Sequence, residues 1–161
     1  MKRRFLLASV FAIAAASGAS AVFASGGPPV DITERARGAA KVVVATATSV
    51  TPEWRRNSFG DELIISEVLL QVEETLKGAV ANSLWLDLEG GTLGDVTLHV
   101  SSLPTLKPGE RAVFFLDETK TGSHVPHLKG LGILKLDANN QVRGSSLRLD
   151  DIRRMTRNAG K

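Results

Sequence analysis

The chain contains no cysteine and no tyrosine, few aromatic residues of any kind, and only three histidines. Without cysteine there can be no disulfide, no thiol nucleophile, no thiolate metal site and no lipid-modified N-terminal cysteine. A domain exported without disulfides must be held together by its core. The shortage of aromatics removes the stacking platforms on which single-strand nucleic-acid binders rely. Long hydrophobic runs are also missing, with one exception at the N-terminus.

That exception reads as an export signal. Lys2, Arg3 and Arg4 form a positive start, Phe5 to Ala16 an apolar heart, and small residues follow, as signal peptidase requires. Cleavage fits after Ala21 or after Ala24. The second is preferred, because the polar stretch from Ser25 to Pro29 follows it and lies accessible. A transmembrane anchor is the alternative, and the uncharged run is roughly long enough. Its C-terminal half, however, is Ala, Ser and Gly, which gain little in lipid. The expected organisation is a signal peptide over 1–24, a flexible lead-in over 25–30 and one domain over 31–161. The expected location is the periplasm or the extracellular space, with no stable membrane span after cleavage.

Charge points the same way. The chain carries 20 Lys and Arg against 17 Asp and Glu, a formal +3. Lys2, Arg3 and Arg4 account for that excess, and without them 17 basic residues face 17 acidic ones. A neutral chain lacks the basic surface that nucleic acid demands, so no nucleic-acid partner is expected. The C-terminal cluster Arg148, Arg153, Arg154, Arg157 and Lys161 reads as cations near a helix C-terminus, where they favour the dipole.

The remaining pattern is strand-like. A short helix is expected over Asp31 to Lys41, capped by Asp31 or Thr33 and weakened by Gly38. Lys41 to Val50 is β-branched and small, a strand by composition. Thr51 to Glu62 reads as a loop. From Ser66 onward, Val68, Leu70 and Val72 alternate with Glu67, Gln71 and Glu73, the period of a half-buried strand. Leu84, Leu86 and Leu88 alternate with Trp85, Asp87 and Glu89, and Val96, Leu98 and Val100 with Thr97, His99 and Ser101. Pro108-Gly109 marks a tight turn. Arg111 to Asp117 is apolar on both faces, as a doubly covered strand would be. Lys129 to Asp137 and Gln141 to Leu149 read as further strands, with Gly130 and Gly132 allowing a bend, and Asp150 as a cap for a final helix. At least six closely spaced strands between two short helices predict a mainly β fold, an OB-like antiparallel barrel, with a β-sandwich as the alternative.

Five segments carry a resemblance: VVVATATSV, IISEVLLQVEETLKG, SLWLDLEGG, LPTLKPGERAVFFLD and KGLGILKL. Together, over about Ala39 to Leu136, they resemble a group of uncharacterised exported bacterial β-barrel proteins. The layout is also similar to the netrin-like module of tissue metalloproteinase inhibitors, an OB-type barrel. That module usually carries cysteines, so its inhibitory N-terminal cysteine has no counterpart in this chain. The resemblance implies a fold and no established activity.

Candidate chemistry is sparse. His124 and His127 have the H-x-x-H look, but Pro126 opposes a helix and i,i+3 in a strand points to opposite faces. A loop could bring both onto a metal, with His99 or a carboxylate as a third ligand. The chain lacks a G-x-S-x-G elbow. The adjacent carboxylates Asp61-Glu62, Glu73-Glu74, Asp117-Glu118 and Asp150-Asp151 suit turns, strand ends and a helix start. Glu89 to Asp95 is glycine-rich, yet no helix follows as a phosphate cradle needs; Gly90, Gly91 and Gly94 instead permit unusual backbone or border a ligand groove. Trp54 and Trp85 are candidate interaction anchors. The expected function is a non-catalytic exported binding module with a protein or cell-envelope partner and no cofactor. The alternatives are a hydrolase or metal-dependent enzyme using His124 and His127, and an OB-type binder of single-stranded nucleic acid.

Overall fold

A computed structural model describes residues 31–56 and 60–160. The segments expected to be an export signal and a lead-in lie outside these residues. A short helix α1 (Ile32–Gly38) precedes two long strands, β1 (Lys41–Arg56) and β2 (Glu62–Lys77). Then come β3 (Ser83–Glu89), the short pair β4 (Gly91–Leu93) and β5 (Val96–Leu98), β6 (Arg111–Glu118), β7 (His124–Pro126), a 3₁₀ turn (Lys129–Gly132), β8 (Ile133–Lys135) and helix α2 (Leu149–Ala159). The fold is mainly β with a short helix at each end, as the sequence pattern leads one to expect.

The main sheet closes on itself. β1 pairs with β2 on one side and with β6 on the other, and β3 meets β7, which pairs with β6. The circuit β1–β2–β3–β7–β6 therefore returns to β1. The β3–β7 contact is parallel and rests on one pair, Leu86 with His124. All other pairings are antiparallel. Register shifts in β1 near Val42, Val44 and Ala47 bend the strand and help it pair with both neighbours.

Two apolar clusters explain why β1 and β6 read as nearly unbroken hydrophobic runs. Val43, Ala45, Ala47, Ala112, Phe114 and Leu116 face the interior of the circuit, with Val68, Leu70, Leu84, Leu86 and Leu88 from β2 and β3. Val42, Val44, Val113 and Phe115 point the other way, and α1 and α2 cover them with Ile32, Ala36, Leu149 and Ile152. Burial on both faces is worth about 1.5–3 kcal/mol per large side chain. The Glu-Glu-x-x-Lys run at the end of β2 ties the helices down. Glu74 takes the Arg153 guanidinium of α2 at 2.5 Å. Lys77 Nζ donates to the carbonyls of Ala36, Arg37 and Ala39 at 2.8, 3.0 and 2.6 Å, satisfying the open end of α1.

Several local expectations are corrected. Thr51 to Arg56 is not loop: it continues β1 and pairs with Glu62 to Glu67, making a two-stranded arm beyond the circuit. Cross-strand pairing with a regular partner overrides the weak signals of Pro52 and the charged residues. β5 is only three residues long, and Val96 is exposed rather than inward. Lys129–Gly132 forms a 3₁₀ turn, with Leu128 and Lys129 at positive φ. Its glycines serve close packing, Gly130 against the Ser102 carbonyl and Gly132 against the His127 backbone. Gln141 to Leu149 makes only isolated bridges, Leu136 with Val142 and Gln141 with Arg148. α2 starts after Arg148, whose backbone N–H donates to Asp151 at 3.1 Å, so Asp150 lies in its first turn and is not its cap.

Candidate functional site

The three histidines go to three places. His124, on β7, is buried, and its Nε2 lies 2.9 Å from Lys41 Nζ while Nδ1 lies 3.1 Å from the Trp85 carbonyl. An ammonium can only donate, so Nε2 accepts and Nδ1 carries the proton. Lys41 also meets Glu118 at 3.2 Å. His127 is held at Nδ1 by Asp117, 2.9 Å away, and its Nε2 edge lies over Gly38. His99 is exposed, at the end of β5. Each of the first two rings is engaged by its own partners, and His-x-x-His is not a shared ligand pair. Among the described residues no three His, Cys, Asp or Glu side chains converge as a metal site.

A cleft of about 210 Å³ opens where the arm leaves the circuit. Val50 and Pro52 of β1 form one wall, Leu88 to Gly91 the floor, and β5 with Leu103 to Leu106 the remaining walls. Ser66 fixes the floor. It is buried, and its Oγ donates to the Gly90 carbonyl at 2.7 Å. Gly90 and Gly91 both have positive φ, at 104° and 143°. A Cβ on Gly91 would sit 2.6 Å from Ser66 Oγ and 3.1 Å from the Pro52 side chain. The glycines let the chain pack on itself, and the groove they border lies above that packing. Gly94, at φ +60°, turns the β4–β5 hairpin and has open space around it.

The two tryptophans lie on opposite faces. Trp54 pairs with Ile64, a buried residue, and Trp85 pairs with Leu69. Positions 64 and 69 of one strand point in opposite directions. Trp54 therefore shares the cleft side of the arm with Pro52, two residues nearer the tip, and is 52% exposed. Trp85, 45% exposed, stands on the outer face. On that outer face Arg55 gathers Glu53, Glu67 (2.7 Å) and Asp87 (2.8 Å). Burial pulls its guanidinium down, but the hydrogen bonds to Glu53 and Asp87 outweigh this and hold it above its ordinary value.

Charge is divided unevenly. The arm, the end of β3 and the β4–β5 hairpin carry seven carboxylates (Glu53, Asp61, Glu62, Glu67, Asp87, Glu89 and Asp95) against Arg55 and Arg56. The other described residues carry fourteen Lys and Arg against ten Asp and Glu. A neutral composition thus conceals an acidic end of the sheet, three of whose carboxylates, Glu53, Glu67 and Asp87, lie with Arg55 on the outer face.

Sequence reasoning placed Gly90 and Gly91 beside a groove but overlooked Ser66, Thr97 and the Leu103–Leu106 segment that complete it. Ser66 had a signal: it is the one polar residue in the inward row Ile64, Ser66, Val68, Leu70. Comparison with known proteins finds no family model and no curated protein that matches the chain, which leaves these residues to carry the functional argument.

Proposed function

We propose that the chain is an exported, non-catalytic binding module whose partner is a protein, engaged at the cleft between the arm and the β4–β5 hairpin. The size of the cleft carries this reading. Pockets for whole small molecules run to about 300–1,000 Å³. A cavity near 150 Å³ takes a single benzene ring. A cleft of about 210 Å³ suits one anchoring side chain, which is how protein interfaces concentrate their binding energy. Both ring nitrogens of His124 are engaged, and the Nε2 edge of His127 lies against Gly38, which weighs against their use as hydrolytic bases. The acidic arm repels a polyanion and weighs against single-stranded nucleic acid.

The proposed location follows from residues 1–24, with the periplasm or the outside of the cell as destination. The test is site-specific photo-cross-linking in the intact envelope. A photoreactive residue at Thr97, on the cleft wall, should yield a discrete adduct that one at Trp85 does not. The Thr97 adduct should disappear when Leu98 is replaced by Trp to fill the cleft. Adducts formed only from Trp85 would move the site to the outer face, and none from either position would refute the reading.

A further inference from the structure

Three features of the cleft bear on what occupies it. Its walls are mixed, with Val50, Pro52, Leu88, Leu98 and Leu103 beside Ser66, Thr92, Thr97, His99 and Thr105. Of its lining residues only Glu89 carries a formal charge at neutral pH. Beyond its mouth, on the same side of the arm, stands the exposed face of Trp54. Around it lies the acidic end of the molecule, where Glu89 and Asp95 are exposed at either end of the β4–β5 hairpin.

We infer, resting on the binding-module reading, that the occupant is a cationic polypeptide segment that places one aromatic or large aliphatic side chain in the cleft. Charge complementarity selects the flanking residues. The exposed carboxylates at this end that Arg55 does not engage, Glu62, Glu89 and Asp95 among them, attract Lys or Arg and speed their encounter. Trp54 adds to this, because the indole face attracts a cation within about 6 Å. The apolar residues of the walls select the anchor, since a ring that fills the cleft sheds water from both surfaces. An acidic segment would bring like charges together at Glu89. A segment without an anchor would leave those apolar residues wet.

The experiment uses a chain of residues 25–161 and fluorescein-labelled peptides, read by fluorescence anisotropy at low and at high salt. The probe is a lysine-rich peptide with one central Phe, compared with its Phe→Ala and Lys→Glu counterparts. Replacing the ring should weaken binding roughly tenfold or more, and the Lys→Glu peptide should not bind. High salt should weaken the cationic peptide, because exposed charges are screened. In the protein, Leu98→Trp should fill the cleft and abolish binding. Trp54→Ala should cost roughly two- to fivefold, and Trp85→Ala, on the outer face, should cost nothing.

Equal binding of the acidic peptide, or indifference to salt, would overturn the assignment of a cationic partner while leaving the module reading intact. Binding that Trp85→Ala abolishes and Leu98→Trp spares would also overturn it, as would self-association through the cleft, which would make a second copy the occupant. If no peptide binds and the envelope cross-links are also absent, the module reading falls with it.

Discussion

Replacing Glu110 with Gln probes how the turn next to the cleft is held. Glu110 accepts the Lys107 backbone N–H at 2.9 Å and takes Lys135 Nζ at 2.9 and 2.7 Å on its two oxygens. The Glu110 and Lys135 side chains are 16% and 22% exposed, so solvent screens this pair only in part. Arg143, at 3.3 Å, is 54% exposed and adds little. Gln keeps an acceptor for the Lys107 amide but removes the charge. Lys135 is then left with the Thr105 carbonyl, 2.6 Å away, as its other partner. A charge-assisted hydrogen bond of this kind is worth about 1.5–3 kcal/mol net, so the variant should lose about 2 kcal/mol at neutral pH.

The pH dependence separates charge from shape. Burial pushes the Glu110 carboxyl up, but hydrogen bonds from Lys135 and the Lys107 amide, with the charges of Lys135 and Arg143, outweigh it. The group is held below its ordinary value of 4.5. A depressed carboxyl pKa stabilises the fold above the unfolded value, and that contribution drains away as pH falls through the folded value. Urea unfolding followed by far-UV circular dichroism should therefore show a gap between wild type and E110Q of about 2 kcal/mol at neutral pH. The gap should narrow steadily below pH 4.5. A gap that stays constant with pH would refute the electrostatic reasoning. A gap under about 0.5 kcal/mol would place the pair among ordinary surface contacts.

Three other substitutions test the packing. Lys77→Met strips the ammonium from three α1 carbonyls and should cost about 1.5–3 kcal/mol, with hydrogen exchange in α1 rising more than in β6. Gly38→Ala gains roughly 1 kcal/mol of helix propensity, but its Cβ would fall 2.6 Å from His127 Nε2, on a ring held by Asp117. A net loss of about 1 kcal/mol is expected, and His127→Ala should reverse its sign in a double-mutant cycle. Gly91→Ala forces φ +143° on a residue with a Cβ and drives it into Ser66. Chemical denaturation should show a loss of about 1–3 kcal/mol.

The parts of the fold legible in the sequence are those where side chains alternate against one continuous core. Leu84, Leu86 and Leu88 are buried, and Trp85 faces out, as their spacing says. Arg111 to Asp117 reads as doubly covered because it is: Phe114 faces the interior of the circuit and Phe115 faces the helices. Pro108-Gly109 turns as expected, with Gly109 at φ +86°. The arm was illegible because it stands beyond the core. Pro52, Glu53, Arg55 and Arg56 carry no burial signal, and only pairing with Glu62 to Ser66 makes them a strand. Lys129 to Gly132 reads as strand because its glycines look like bend sites, whereas they answer to a backbone far away in sequence.

The candidate site divides along the same line. Gly90 and Gly91 announce unusual backbone locally, so a groove beside them was foreseeable. The cleft also needs Val50, Thr97 and Leu103, which come from separate stretches and meet only in the fold. The acidic end escaped notice because net charge averages over the chain. It emerges only when the arm, the end of β3 and the β4–β5 hairpin are placed side by side.

The most direct measurement is a titration of an isotope-labelled chain of residues 25–161 with the lysine-rich, Phe-bearing peptide, followed by two-dimensional amide NMR. Binding at the cleft should move the backbone signals of Gly90, Gly91, Thr97 and His99 and the indole signal of Trp54, leaving Trp85 still. Movement confined to Trp85 and Asp87, or no movement at saturating peptide, would contradict the account.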